Sequence, residues 1–218
     1  MEAVLLNMVS EGLVNLTNLE MLVLYDNSID DETCLVLADA IRNNNFIRIL
    51  DLRDNKIGDE GVKAISDALK NNHSMEILYL SNNQITVEGA IVIAAVLRIS
   101  NTLKKLFLSK NKVGDRGVKA LADALSTIHC LEILCLDGNE ISDEGAIAIA
   151  AVLRTNKSLK KLLLDANNIG DEGAISIKDA LSTNGSLKYL NLKNNIRISK
   201  QTRNDIVSTI RADITFIH

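Results

Sequence analysis

Residues 131–139 have the sequence LEILCLDGN, with leucine at the first, fourth and sixth positions and asparagine at the ninth. The same pattern, with related apolar residues, occurs seven times, and each copy begins 28 residues after the previous one without an insertion. A constant period of this length indicates an array of structural repeats. The seven copies are Leu19–Asn27, Ile47–Asn55, Met75–Asn83, Leu103–Asn111, Leu131–Asn139, Leu159–Asn167 and Leu187–Asn195.

The rest of each 28-residue unit repeats as well. Glycine recurs in five units, and an apolar pair four residues apart follows it, as in Ile65 and Leu69. The period of two in the first half predicts a short strand, and the spacing of four in the second half predicts a helix face. Units three and five share the pattern GAI-x-IAAVLR, which indicates that a pair of units was duplicated. The recurring glycines are Gly61, Gly89, Gly117, Gly145 and Gly173.

These residues resemble the leucine-rich repeat family, in its ribonuclease-inhibitor-like class with helices on the convex side. The resemblance covers about Leu13 to Asn195 and is closer to the repeats of NOD-like receptors and of the Ran GTPase-activating protein than to ribonuclease inhibitor itself. That inhibitor has cysteine at the ninth position and alternating repeat lengths, whereas this sequence has asparagine and a uniform length. The resemblance implies a curved scaffold that binds other proteins.

We therefore predict an α/β fold, a right-handed solenoid (horseshoe) of seven 28-residue leucine-rich repeats. Parallel strands pair about 4.8 Å apart whereas packed helices need roughly 8–10 Å, so the sheet is expected on the concave face and the helices on the convex face. A single domain is expected over residues 1–218. It comprises an N-terminal half-repeat cap (1–18), seven repeat strands with their helices (19–195) and a C-terminal cap helix (196–218), the helix itself at Thr202 to Ala212.

The ninth-position asparagines are predicted to have a structural role. A side-chain amide at the end of a strand can bond the free N–H and C=O groups of the turn and of the next unit. Acidic turns such as Asp59-Glu60 and Asp143-Glu144 are expected to cap the helices that begin there and to oppose the helix dipole. A docking edge for a basic partner is the alternative for these turns. The asparagine ladder consists of Asn27, Asn55, Asn83, Asn111, Asn139, Asn167 and Asn195.

The third, fifth and seventh positions of each unit are predicted to face the concave surface, because the leucines point into the core. All three tyrosines of the chain fall in these columns. Contiguous apolar surface with a polar rim commonly marks a binding site. The alternatives are the general preference of such residues for strands and drift within a duplicated array. The predicted partner contacts are Tyr79, Phe107, Leu163, Ile77, Ile133 and Tyr189, with Lys105, Lys161, Asp137 and Asp165 as rim charges that orient a partner of mixed charge.

No residue is predicted to be catalytic, and no cofactor or metal is expected. The phosphate-binding pattern G-x-x-x-x-G-K-[ST] does not occur in the sequence. His73 and His129 occupy equivalent positions two units apart, and helix spacing separates them by some 15–20 Å, too far to share a metal. For Cys135, a small apolar residue in the concave stripe is the preferred interpretation, and a reactive thiol is the alternative.

Charge and cysteine content narrow the range of partners. The net charge of −4 argues against nucleic acid, and the apolar runs are too short to cross a bilayer. Three cysteines without a framework spacing favour a reducing compartment.

We expect a cytoplasmic monomer that acts as a non-catalytic protein–protein interaction module. The alternatives are a GTPase regulator resembling the Ran activator, a bacterial effector, a sensor fragment of an immune receptor, and an inert scaffold.

Overall fold

The computed structural model describes residues 19–42, 44–70 and 72–218, in which strands and helices alternate along the chain. The predicted N-terminal cap, residues 1–18, lies outside the described residues. The strands are β1 (Met21–Val23), β2 (Ile49–Asp51), β3 (Ile77–Tyr79), β4 (Lys105–Phe107), β5 (Ile133–Cys135), β6 (Lys161–Leu163), β7 (Tyr189–Asn191) and β8 (Thr215–Ile217). The helices are α1 (Asp31–Ile41), α2 (Asp59–Leu69), α3 (Val87–Ile99), α4 (Gly114–Leu125), α5 (Asp143–Leu153), α6 (Asp171–Leu181) and α7 (Lys200–Thr209).

The eight strands form one parallel sheet in chain order. From β1 to β7, each residue pairs with the residue 28 positions later, so Leu78 lies opposite Leu106 and Leu106 lies opposite Leu134. The predicted solenoid, with its sheet on the concave face and its helices on the convex face, is confirmed. Because the pairing offset equals the repeat length, equivalent residues of successive repeats stand side by side and form columns across the sheet.

One continuous hydrophobic core lies between the sheet and the helices. In the fourth repeat, Leu106 and Leu108 come from the strand side and Leu121 and Leu125 from α4, and all four are buried. Burying such a side chain contributes about 1.5–3 kcal/mol. Stacking covers the flanks of each repeat with its neighbours, which explains why the units occur as an array.

The repeat pattern shifts by one residue after Asn195. Ile198 takes the core position, whereas Ile196 is 88% exposed. The last helix, α7, begins two residues before the predicted start and ends at Thr209. Ile206 is buried in the core and Ile210 packs partly buried against it, so both lie on the inner side of the cap.

The strand β8 was not anticipated, because residues 196–218 were expected to contribute only a helix. It pairs with β7 and extends the sheet by one strand. Two arginines of this C-terminal segment bond the backbone of the array. The guanidinium of Arg203 donates to the carbonyl of Asn195 at 2.7 Å, and that of Arg211 donates to the carbonyl of Asn184.

The ninth-position asparagines connect each repeat to the one before it. The side-chain oxygen of Asn167 accepts the backbone N–H groups of Asn139 at 2.8 Å and of Ile141 at 3.1 Å. Its amide nitrogen donates to the carbonyl of Leu136 in the preceding repeat at 3.0 Å and to that of Leu164 in its own repeat at 3.1 Å. The second to the seventh asparagines all bond the preceding repeat in this way.

The residue before each asparagine adopts the left-handed conformation, with φ between 52° and 61°. This conformation is unfavourable for residues with a Cβ atom, and the cost is smallest for glycine, asparagine and aspartate. The turn therefore recurs in every repeat although its residue changes. The seven residues are Asp26, Asp54, Asn82, Lys110, Gly138, Ala166 and Asn194.

A second set of side-chain bonds joins the repeats where the helices begin. The Asp143 carboxylate accepts the N–H groups of Gly170 at 2.7 Å and of Gly173 at 2.9 Å, both in the next repeat. The sequence pattern had led us to expect that these aspartates cap their own helices. They instead accept hydrogen bonds from the start of the next repeat. A Cβ atom on Gly173 would lie 2.7 Å from the Asp143 carboxylate, which explains the recurring glycine. Equivalent bonds are made by Asp31, Asp59, Asp115 and Asp171.

Replacing one buried asparagine tests the first set of bonds. Asn167→Ala removes the acceptor for the N–H groups of Asn139 and Ile141 and a donor to the carbonyl of Leu136. Because an unsatisfied buried polar group costs about 1–3 kcal/mol, we expect the free energy of unfolding to fall by about 3 kcal/mol in urea denaturation. The neighbouring side chain of Asn168 is exposed. Asn168→Ala is the matched control, with an expected change below about 0.5 kcal/mol; equal losses would contradict the structural role.

Candidate functional site

The ten side chains predicted to contact a partner lie on five neighbouring strands and the turns that follow them, from β3 to β7. The middle residue of each strand is a leucine that points into the core, so the first and third residues face the concave surface. Nine of the ten side chains are partly buried and Lys161 is exposed. The sequence pattern and the structure therefore place these ten residues on one surface.

Aromatic and cationic side chains stack across the first four strands. The rings of Tyr79 and Phe107 are stacked, with centroids 4.6 Å apart and an angle of 16° between the planes. The guanidinium of Arg53 lies 4.7 Å from the Tyr79 centroid and 5.5 Å from that of Tyr25. Sequence analysis included neither Tyr25 nor Arg53 among the contacts. The signal was available, since both occupy the seventh-position column on neighbouring repeats, and the strand that follows Arg53 contains Tyr79.

Asp51 holds Arg53 in this stack. Its carboxylate accepts two hydrogen bonds from the Arg53 guanidinium, at 2.9 Å from Nε and 2.5 Å from Nη2. Burial acts to raise the pKa of the Asp51 carboxyl, but the hydrogen bonds from Arg53 outweigh it and hold that pKa below its ordinary value. A bidentate pair of this kind fixes the orientation of the guanidinium plane.

Cys135 is buried and interrupts the concave stripe. The fifth-position column contains the apolar side chains Tyr79, Phe107, Cys135 and Leu163 on successive strands. Its exposed apolar surface therefore has a gap at β5. The Cys135 sulfur lies 2.8 Å from the Ser109 hydroxyl and donates to the Asp137 carboxylate at 3.1 Å. Burial raises the pKa of the Cys135 thiol to about 12, which makes thiolate chemistry unfavourable at neutral pH.

The two concave carboxylates are engaged by neighbouring groups. Asp137 accepts the Cys135 thiol and, at 2.7 Å, the backbone N–H of Asp165. Burial raises the pKa of the Asp137 carboxyl above its ordinary value. The Asp165 carboxylate accepts the side-chain amide of Asn194 at 2.9 Å. Both acidic groups therefore already have internal hydrogen-bond donors.

The concave lysines differ from the lysines that precede them in the sequence. Lys104 pairs with Glu76 at 2.9 Å, and Lys160 pairs with a glutamate of the preceding repeat at 2.7 Å. The ammonium group of Lys105 has no ionic or hydrogen-bond partner among residues 19–42, 44–70 and 72–218. The Lys161 ammonium lies over the Tyr189 ring, 5.8 Å from its centroid, and forms no ion pair in that part of the chain.

The first strand adds apolar surface that sequence analysis left out of the predicted contacts. Met21, Val23 and Tyr25 are each about half exposed on the concave side of β1. They lie at the edge of the described sheet and next to the Arg53 stack. Their signal was present in the same sequence columns as the residues that were chosen.

Across the described ranges of the chain, histidine, cysteine, aspartate and glutamate form no group of three or more that could hold a metal ion. No helix in the same part of the chain is long and apolar enough to cross a membrane.

Comparison with known protein families finds a model that matches the repeats. A family model described as Leucine Rich repeat matches residues 43–66, 71–94, 100–122, 127–150 and 155–178, which together make up more than half of the chain. Each match includes one strand and part of the helix that follows it. A comparison with curated proteins finds no match.

Solved structures share the fold. The chain is similar to a structure described as leiomodin-1 actin-binding site 2, with a TM-score of 0.51 and 22% identity, over 61% of this chain and 76% of that chain. It is also similar to the tropomodulin C-terminal domain of Caenorhabditis elegans, with a TM-score of 0.54 and 16% identity, over 69% of this chain and 90% of that chain. At these identities the similarity shows a common fold.

The burial of the cysteines leads to a labelling prediction. Burial raises the pKa of the Cys34 and Cys135 thiols to about 12, and Cys130 is less buried. At about pH 8.5, near the pKa of a free thiol, we expect a disulfide reagent to modify Cys130 first and the other two only after unfolding. Peptide mapping by mass spectrometry measures this order, with Cys130→Ser as the control. Modification of Cys135 as fast as Cys130 would show an accessible thiol on the concave face.

Proposed function

Because the chain belongs to the leucine-rich repeat family, we propose that it is a non-catalytic protein–protein interaction module that binds a protein partner on its concave face. The observation that carries this proposal is the cluster of apolar and aromatic side chains on adjacent strands. Tyr79 and Phe107 form its stacked centre, with Ile77, Ile133 and Leu163 beside them. Large aromatic side chains in such a surface are the residues that contribute most to binding energy in protein interfaces.

The concave face is preformed, which favours binding without much loss of conformational freedom. Tyr79 is held between the Phe107 ring and the Arg53 guanidinium, and Arg53 is held by Asp51. The strands that carry these residues are tied together by the asparagine bonds between repeats. Ordering flexible groups on association costs about 0.5–1.5 kcal/mol for each side chain, and much of that cost is avoided by a surface fixed in advance.

The uniform repeat supports a finer assignment to the ribonuclease-inhibitor-like class. The strands pair at an offset of 28 residues, and every convex connection between β1 and β7 contains a helix of 11 to 13 residues. The same fold occurs in the leiomodin-1 structure described as an actin-binding site, so it serves protein recognition there. The three cysteines are free, which suits a cytoplasmic location for this chain.

Capture of proteins from a cell lysate tests the proposed site. We expect wild-type protein to retain a partner that Tyr79→Ala/Phe107→Ala loses, because the double substitution removes both stacked rings. The control is Ile91→Ala/Ile147→Ala, which removes two exposed apolar side chains from the convex helices α3 and α5. Thermal unfolding of all three proteins is measured first, so that lost binding is not lost folding. Retention by the concave variant and loss by the convex variant would move the site to the helices.

A further inference from the structure

The acidic and basic side chains of the concave face differ in whether they have partners within the protein, which the sequence does not reveal. The Asp137 and Asp165 carboxylates both accept hydrogen bonds from within the protein. Asp137 accepts a thiol and a backbone N–H, and Asp165 accepts the Asn194 amide. The ammonium groups of Lys105 and Lys161 have no carboxylate partner in the described chain. This face therefore presents two ammonium groups that no carboxylate of the described chain pairs with, although the protein as a whole carries a net charge of −4.

The two free lysines have a defined spacing. Lys105 begins β4 and Lys161 begins β6, and Ile133 stands between them on β5 in the same column. Since parallel strands are about 4.8 Å apart, the two lysine Cα atoms are roughly 10 Å apart across the sheet. The surface thus presents a cation, an apolar side chain and a second cation in a line perpendicular to the strands.

We propose that the partner binds through an acidic amphipathic helix that lies across the strands, with two carboxylates above Lys105 and Lys161 and an apolar side chain above Ile133. This inference rests on the proposed function of the concave face and specifies the chemistry of its partner. It specifies one part of the partner of mixed charge expected from the sequence, namely the carboxylates that would meet the two lysines, while Asp137 and Asp165 already have internal hydrogen-bond donors.

The spacing favours a helix over an extended segment. Residues i and i+7 of a helix lie about 10.5 Å apart on one face, and residues i+3 and i+4 lie between them. In an extended strand, residues on one face are about 7 Å or about 13 Å apart, so neither spacing matches the lysines. A helix with carboxylates at i and i+7 and leucines at i+3 and i+4 therefore fits the line of side chains.

The control residues for this inference are the lysines that immediately precede Lys105 and Lys161 in the sequence. Lys104 and Lys160 immediately precede the two concave lysines, but they are already paired with Glu76 and Glu132. Lys105→Ala/Lys161→Ala and Lys104→Ala/Lys160→Ala therefore remove the same total charge from the same two strands. Only the first pair removes the free cations of the concave face.

The probe is a stapled, fluorescein-labelled helical peptide with glutamates at i and i+7 and leucines at i+3 and i+4. Its partner probe carries lysines in place of the glutamates. By fluorescence anisotropy, we expect the wild type to bind the glutamate peptide, with an affinity that falls as salt is added. Lys105→Ala/Lys161→Ala is expected to bind it about tenfold more weakly, and Lys104→Ala/Lys160→Ala within about twofold of the wild type.

Three results would overturn the acidic helix. They are no binding of the glutamate peptide at millimolar concentration, equal binding of the lysine peptide, and equal loss in the two lysine variants. Failure here is distinguishable from failure of the concave site itself. If a captured protein is lost by Tyr79→Ala/Phe107→Ala but retained by Lys105→Ala/Lys161→Ala, the concave face binds a partner and the inferred chemistry is wrong.

Discussion

The structure depends on one side chain in each repeat, the asparagine at the ninth position, after the strand. Its oxygen accepts backbone N–H groups of the preceding repeat, and its amide donates to carbonyls of both repeats, as Asn167 shows with Ile141 and Leu136. These backbone groups lie in turns, where no helix or sheet satisfies them. A buried group without a partner is costly, so the asparagine fixes the position of each turn relative to the one before it.

That constraint reaches the concave face through the pairing of the strands. Because every repeat is placed at the same offset from the last, the residues at each strand position form a column, and the chemistry of a column is set by sequence alone. Tyr79 and Phe107 become stacked neighbours, and Lys105 and Lys161 flank Ile133. The same backbone could carry other residues in these columns, which is how one repeat can serve many partners.

The sheet, the helices and the columns could be predicted from the sequence, because the spacing of the leucines alone sets which residues face the core. It was insufficient for β8, whose sequence TFI lacks the leucine pattern and is recognisable only beside β7. Nor could it show that Cys135 is buried, since that depends on the neighbouring side chains of Ser109 and Asp137. The sequence places Lys105, and not Lys104, in a concave column, but it could not show that Lys104 pairs with Glu76 while Lys105 has no ionic partner in the described chain.

Hydrogen exchange of single amides measures the linkage between repeats most directly. The N–H groups of Ile85, Ile141 and Ile169 donate to an asparagine side chain of the next repeat, at 3.0 to 3.1 Å. If the asparagines hold the array together, these turn amides exchange as slowly as the strand amides of Leu106 and Leu134, because both open only when repeats separate. Exchange of the turn amides at the rate of exposed loops, with the strands still protected, would show that the sheet and core hold the repeats without them.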